Sequence, residues 1–312
     1  MSDAELVQLG ERDLPETAAL CSMTMPYDDC SPDLLRYTLF DGEEAPAELR
    51  LGLRRQGALC AVAIGALNAR SEGPSSGHVK LVATRPDCQR RGYARRLLEE
   101  LEGRLRSAGV NVVQVSFSRR YLVPGVDLRH SKALCLFDRL GYERRPFTYN
   151  LNVDLSTRSF DPTPHTTRLQ AEGIVVRRVQ RGDEERFNAY LGERWSAGWQ
   201  YEGMYVLRSG QDPIPGHIAL VGQDIVGFSV YDATRPGWLG PIGTNAELRG
   251  RDVGTALLHA CLYDWQCQGR HWGEIAGIGP LYFYVTSCDA TICRTWQRYE
   301  KTLAADANAT AR

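Results

Sequence analysis

Apolar and polar positions along this chain follow one order of elements twice. In the first half, Leu6–Leu9 reads as a short strand. A polar turn at Gly10–Asp13 leads into a helix from Leu14 to Cys21. Strands around Leu51–Leu53 and Ala58–Leu67 flank a turn at Gln56–Gly57, and the turn Glu72–Gly77 precedes the strand His78–Thr84. Leu97, Leu98, Leu101 and Leu105 fall on one helix face, which Gly109 ends as a C-terminal cap. Val110–Phe117 is a further strand, 133–140 a helix stopped at Gly141, and Tyr149–Leu155 a closing strand. The second half begins at Val175–Val176, with a helix around 183–195 and a hairpin over Ile218–Tyr231 that turns at Gln223–Asp224. The strand Trp238–Thr244 follows, then a helix whose one face carries Leu257, Leu258, Cys261, Leu262 and Trp265, ended by Gly269. The strand Trp272–Ile278 and the helix Leu281–Cys288 complete the series. Strands alternating with helices predict an α/β protein.

The two copies share a loop. Cys88-Gln89-Arg90-Arg91-Gly92-Tyr93-Ala94-Arg95 and Leu248-Arg249-Gly250-Arg251-Asp252-Val253-Gly254-Thr255 each follow a strand and open an amphipathic helix. Each is a turn of small residues studded with cations, at a point where unpaired N–H groups and the helix dipole favour an anion. Gln89 and Arg249 are 160 positions apart in a chain of 312 residues. A repeat of half the chain means two duplicated domains, since solenoid units run to about 20–50 residues. The expected boundaries are 1–155 for the first domain and 173–303 for the second. The polar, proline-bearing stretch 156–172 reads as a linker and 304–312 as a disordered tail.

Composition narrows the partners. A net charge of −1 gives no general attraction to nucleic acid or to an anionic membrane. Nine cysteines lie scattered without metal-ligand spacing, which fits reduced thiols in a cytoplasmic protein and no metal. The acidic, polar N-terminus does not suit a secretion signal, and no apolar run approaches the ~20 residues of a membrane helix. Oligomeric state is not legible.

A strand, a loop of the form Q/R-x-x-G-x-G/A, a long helix, a strand and a short aromatic helix, in that order, resemble the Gcn5-related N-acetyltransferase (GNAT) superfamily. Gln89-x-x-Gly92-x-Ala94 meets the loop pattern in full. Arg249-x-x-Asp252-x-Gly254 departs from it at the central glycine. Phe283-Tyr284 is similar to the family's late tyrosine, whereas the first half has Phe137 there. The resemblance implies two tandem domains, each a mixed, mostly antiparallel sheet flanked by helices. It implies acetyl-CoA, or another acyl-CoA, as co-substrate. The diphosphate would lie on the loop backbones, through Gln89, Arg90, Arg91, Gly92, Tyr93, Ala94 and Arg95 in one half. In the other half it would lie on Arg249, Gly250, Arg251, Val253, Gly254 and Thr255. Pantetheine would lie along Val82, Ala83 and Thr84, or along Ile242, Gly243 and Thr244, beside a bulge that splays two strands.

The implied reaction is direct attack of an amine on a thioester through a tetrahedral intermediate. A base must take the amine proton and an acid must protonate the thiolate. Tyr284 is the expected acid; a packed aromatic is the alternative. Glu274, on the strand beside the expected slot, is the candidate base, with Glu247 a weaker one. His78 reads as a hydrogen-bonded structural histidine. A carboxylate at Asp252, about 5 Å from a phosphate, would cost about 3 kcal/mol at an effective dielectric of ~20. It could instead turn aside at a helix start. The halves are therefore mismatched, and the balance favours chemistry in the second. The reverse stays open, because the first half carries extra residues in Arg119–Ser131, where Tyr121 could supply a hydroxyl. Trp195, Trp199 and Tyr201 would line a pocket for a ring-bearing acceptor, or pack in the core.

The leading expectation is acetyl transfer to a small-molecule amine. A protein amine, a non-catalytic acyl-CoA-binding role with both sites degenerate, and transfer to oxygen or decarboxylation of an acyl-CoA are the alternatives.

Overall fold

The computed structural model describes residues 3–42, 44–68 and 76–303. The expected disordered tail at 304–312 and most of the turn at 72–77 lie outside them. The elements in chain order are β1 (Glu5–Gln8), α1 (Leu14–Thr24), α2 (Pro32–Leu35), β2 (Arg50–Arg55), β3 (Ala58–Asn68), β4 (Ser76–Thr84) and α3 (Tyr93–Ser107). There follow β5 (Val112–Val115), β6 (Val126–Asp127), α4 (Ser131–Arg139), β7 (Glu143–Asp154), α5 (Thr163–Ala171), β8 (Ile174–Arg178), α6 (Glu184–Arg194) and α7 (Ala197–Arg208). The chain ends on β9 (Gly216–Val221), β10 (Asp224–Tyr231), β11 (Trp238–Thr244), α8 (Val253–Cys267), β12 (Trp272–Ile278), α9 (Leu281–Cys288) and β13 (Thr291–Thr302).

Two compact units result. The first joins the described residues up to Thr148 to those from Trp296 to Leu303, and the second is Tyr149–Thr295. In the first, the sheet runs β1-β2-β3-β4-β5 and then the end of β13, which pairs with β5 in antiparallel register from Thr302↔Val112 to Glu300↔Gln114. In the second, it runs from the end of β7 through β12, β11, β10 and β9 to β8, with Leu151 opposite Ile275. Pairing is antiparallel throughout except for β4 with β5 and β11 with β12. Each unit is a mixed sheet with helices on both faces.

This division corrects the expected one at three places. The strand expected to close the first half instead runs on into the second unit, where Leu151 and Val153 are fully buried. The closing strand of the first unit is β13, at the far end of the chain. Its run TICRTWQRYEKT is mostly polar, but Trp296 and Tyr299 are buried in the first unit. The expected linker holds α5, whose Leu169 is buried and which packs on β8 and α8.

The first unit's core has two layers. Val79, Leu97, Leu101, Val113, Phe137 and Tyr299 lie with α3 and α4. Leu14, Leu20, Leu35, Leu39, Ile64, Leu81 and Trp296 lie with α1 and α2. The second unit repeats this: Leu258, Leu262, Trp265 and Ile275 with α8, and Phe187, Leu191, Val206 and Phe228 with α6 and α7. No helix of the described residues is long and apolar enough to cross a membrane.

Candidate functional site

Each helix-opening loop bends through two left-handed residues at matching positions. These are Arg90 (φ 62°) and Gly92 (φ 81°) in the first unit, and Gly250 (φ 77°) and Asp252 (φ 71°) in the second. Gly92 and Asp252 cap α3 and α8 without any side-chain bond to the helix. The first helical bonds are Arg96 N–H to Gly92 O and Ala256 N–H to Asp252 O, both 3.0 Å, so the preceding amides open both helices unsatisfied by them. That is the arrangement an anion uses. Arg90, Arg91 and Arg95 are exposed beside the first loop, while the Tyr93 and Val253 side chains turn into the cores. In the first loop, Gln89 Nε2 donates to Thr84 O (3.3 Å), and Lys132 Nζ donates to Gln89 Oε1 (2.8 Å).

Asp252 does not face the second loop unpaired. Its Oδ2 accepts from His165 Nδ1 (2.5 Å) and from Arg168 Nη2 (2.6 Å), both on α5. Arg251 is paired with Glu172 at 2.6 Å, and Arg249 is exposed. The segment expected to be a linker therefore neutralises the residue that breaks the loop pattern.

On the strand leading into each loop the parallel pair opens. β4 and β5 stay in register only to Val79↔Val115, and β4 runs on to Thr84. Opposite β3 the register slips between Ile64↔Leu81 and Gly65↔Val79, so Lys80 is the extra, bulged residue. Its ammonium, fully buried, donates to Glu44 Oε1 and to Arg119 O, both at 3.0 Å. It thus reaches from β4 across to the chain beyond β5. Desolvation brings its pKa down to about 8 against the pull of Glu44. Leu122 and Val123, from the extra residues of the first half, pack with Leu81, Ala83 and Trp296 on the α1–α2 face. Tyr121 stacks obliquely on Phe117 at 5.4 Å. Phe137 is buried against Tyr142 and Tyr299. His78 is the structural residue expected: Nδ1–H donates to Ser116 O (2.7 Å) and Nε2 accepts from Asn68 (2.8 Å). Burial lowers its pKa to about 4, which keeps it neutral.

In the second unit β11 and β12 pair at Trp238↔Glu274 and Leu239↔Ile275 and then part. The bulge on β11 falls at Gly240–Pro241, between Ser229↔Ile242 and Tyr231↔Leu239. Gly240 corresponds to Lys80, at the same 160-residue offset. β12 also bulges, at Ala276–Gly277, where Gly277 has φ 63° and its N–H donates to Asn150 Oδ1 at 3.1 Å. Tyr284, on α9, is buried with Ile275 and Ile278 in the α8 layer. Its hydroxyl takes no hydrogen bond from the described residues, and desolvation raises its pKa. The adjoining Phe283 ring and Thr244 Oγ1 both lie against Gly254, where a Cβ would sit 3.4 and 3.6 Å from them. Loop, slot strand and late helix thus converge at Gly254.

Glu274 stands on the other sheet face from Tyr284, since strand neighbours alternate and Ile275 joins the Tyr284 layer. Its Oε1 accepts from Asn150 Nδ2 at 2.6 Å. Trp195 and Trp199 stack at 5.0 Å and pack with Phe228, and a Cβ on Gly243 would lie 2.6 Å from the Trp195 ring. They belong to the core layer, and Tyr201 stacks on Tyr205 at 6.3 Å along α7. Sequence reading missed Lys80, Glu44 and Glu202. Glu202, on α7, is buried; Thr234 Oγ1 donates to its Oε1, and desolvation raises its pKa to about 7. A glutamate inside an aromatic helix carries no mark of its own, and these pairings are non-local. No cluster that could hold a metal is found among the described residues.

Residues 15–120 match the family described as "Acetyltransferase (GNAT) family". The chain carries a domain of the GNAT family. The matched segment holds α1 through β5 and the first loop. Among solved structures, a GCN5-related N-acetyltransferase from Sphaerobacter thermophilus superposes with a TM-score of 0.71 at 18% identity, covering 97% of this chain and 96% of that one. A tandem GNAT protein from the clavulanic acid biosynthesis pathway gives 0.68 at 16%, covering 96% and 98%. A GCN5-related glucosamine N-acetyltransferase region of a fungal multi-domain GH3 β-N-acetylglucosaminidase gives 0.84 at 14%. It covers 96% of this chain, which spans 38% of that protein. At these identities the likeness is one of fold, and it runs over both units. No curated protein matches.

Proposed function

We propose that this GNAT protein transfers an acyl group, acetyl in the first instance, from acyl-CoA to the amine of a small molecule, and that the second unit performs the transfer. One observation carries the assignment to that unit. Around Gly254 an uncapped helix start, the freed end of β11 and the late aromatic helix meet, and on that helix the buried residue Tyr284 has a hydroxyl with no hydrogen-bond partner among the described residues. The amides from Asp252 to Thr255 would receive the diphosphate of the substrate, with Arg249 exposed at the loop. Main-chain groups of Ile242, Gly243 and Thr244 would hold the pantetheine arm. Tyr284, kept protonated by its raised pKa, would give its proton to the departing thiolate. Glu274, held by Asn150, is the expected base on the opposite sheet face.

In the first unit the loop retains the full pattern, and Val82, Ala83 and Thr84 line the freed part of β4. Thr84 Oγ1 is buried there without a partner among the described residues. The wedge itself is spanned by Lys80 and backed by Leu122 and Val123. These features favour binding of CoA without turnover, the role of a non-catalytic acyl-CoA site.

The test is thiol release from acetyl-CoA across an amine panel that includes glucosamine, the acceptor named for the fungal region, and a lysine-bearing peptide. Release dependent on an amine supports transfer. Tight binding of acetyl-CoA with no release under any acceptor overturns it in favour of the non-catalytic reading.

A further inference from the structure

The two units treat one position in opposite ways. In the first, the residue at the β4 bulge is Lys80, whose ammonium meets the buried carboxylate of Glu44 at 3.0 Å. In the second, the matching residue is Gly240, and no lysine is present. The buried carboxylate remains: Glu202 is 8% exposed, and Thr234 is its one hydrogen-bond partner among the described residues. Glu44 comes from the segment between α1 and β2, and Glu202 from the segment between α6 and β9. Both lie on the same side of their sheets. Lys80 and Leu81 point to the α1–α2 layer. A Cβ at Gly240 would point to Val230 and Ala233, which belong to the α6–α7 layer, and Ala233 adjoins Thr234.

A buried carboxylate without a cation is costly, and its removal from water is recovered only by a paired, hydrogen-bonded charge. The charged groups nearby are engaged elsewhere. Asp232 is paired with Arg270 (3.2 Å), Arg235 lies over the Trp238 ring (4.9 Å), and Arg208 is paired with Glu184 (2.7 Å). Tyr201 and Tyr205 flank Glu202 along α7, each half-buried.

We infer that Glu202 is the receptor for the acceptor's primary ammonium, and that Lys80 is the internal amine that fills the equivalent place in the first unit. This deepens the proposed function, on which it rests for the identity of the ligand as an acyl acceptor. Bound there, the ammonium is held at the opening of β11 from β12. When transfer follows, the amine nitrogen bonds to the thioester carbon and the carbon–sulfur bond breaks. The ammonium gives one proton to the Glu202 carboxylate before attack, and the thiolate takes its proton from Tyr284. The second amine proton, shed by the nitrogen as the amide forms, returns to the Tyr284 oxygen, and Glu202 releases its proton to solvent. Glu202 thereby joins or replaces Glu274 as the proton acceptor.

Two measurements on the full chain test it. The first needs no activity: thermal melts of Gly240→Lys, Gly240→Met and each combined with Glu202→Gln. A Cβ at Gly240 meets nothing closer than 3.4 Å, so both substitutions start without a clash. Gly240→Lys is expected to melt several degrees above Gly240→Met, and Glu202→Gln to reverse that order. An unchanged order on adding Glu202→Gln overturns the inference. The second is steady-state transfer. Glu202→Gln is expected to raise KM for glucosamine and phenethylamine at least tenfold while leaving the Kd for acetyl-CoA unchanged. An unaltered amine KM overturns it. Should the wild-type protein release no thiol with any amine, the transferase reading fails, and the melts still decide whether Glu202 takes an ammonium.

Discussion

Gly92 and Asp252 hold the same left-handed backbone, φ 81° and 71°, each one residue before a fifteen-residue helix. The duplicated loop has thus kept its path while its residues changed, and aspartate tolerates this conformation better than most side chains. Its carboxylate accepts a hydrogen bond from His165 and is paired with Arg168.

If the second loop binds acyl-CoA as proposed, Arg168, and not Asp252, is expected to control that affinity. Arg168→Ala leaves a carboxylate about 7 Å from a diphosphate, worth about 1 kcal/mol at an effective dielectric of ~40. Affinity is expected to fall about five- to tenfold. Asp252→Asn alone should change it little, and adding it to Arg168→Ala should restore binding. Titration calorimetry at low and high salt checks this, with the difference shrinking as salt rises.

Tyr284→Phe removes the hydroxyl and leaves the ring. Turnover is expected to drop about 100-fold or more, the usual scale for a lost general acid, with the Kd for acetyl-CoA unchanged. If turnover holds, the chemistry belongs elsewhere, and Tyr121→Phe becomes the next measurement.

The exchange of strands makes the chain's two ends interdependent. Trp296, 1% exposed, sits in the first unit's core although it follows the whole second unit. Trp296→Ala is expected to cost about 3–5 kcal/mol. Hydrogen exchange should show lost protection in β3 and β5, while β9 and β10 keep theirs.

These cases also show what the sequence could and could not reveal. Leu97, Leu98, Leu101 and Leu105 declared α3, and all four are buried. The loops were legible because left-handed turns and cations cluster locally. β13 was not, because its charged residues mask the few buried ones, among them Trp296 and Tyr299. α5 was not, because it has one buried side chain, Leu169, and two prolines nearby. α7 was hidden by Gly198 and Gly203. The second glycine sits where a Cβ would lie 2.5 Å from Leu191, so packing against α6 requires it despite its poor helix propensity. Val82–Thr84 and Ile242–Thr244 lie on the strand ends beyond the last β4–β5 and β11–β12 pairs. The ion pair Lys80–Glu44 joins residues whose partnership only the fold creates.

Gly243, on β11 three residues past the bulge glycine Gly240, gives a test of the slot's shape. Gly243→Ala would put a methyl 2.6 Å from the Trp195 ring, and is expected to destabilise the second unit by about 1–3 kcal/mol. Trp195→Phe should relieve much of this in the double variant, read by denaturant midpoints.

Two buried groups bend the pH dependence of stability in opposite senses. His78 has its folded pKa lowered to about 4 from 6.5, so the unfolded chain binds more protons between those values. Its contribution is complete above pH 6.5 and is lost as pH falls to 4. Glu202 has its folded pKa raised to about 7 from 4.5, so the folded chain binds more protons in that window. Its contribution is complete below pH 4.5 and is lost as pH rises through 7. The two slopes oppose each other between pH 4.5 and 6.5. Glu202→Gln removes one of them, so the variant should gain stability relative to wild type as pH rises from 4.5 to 8, by up to about 3 kcal/mol. Its acid side should become steeper. Urea midpoints at pH 4.5, 6 and 8 check this, and a wild-type–variant difference that stays flat across the three would mean that Glu202 does not titrate in this range.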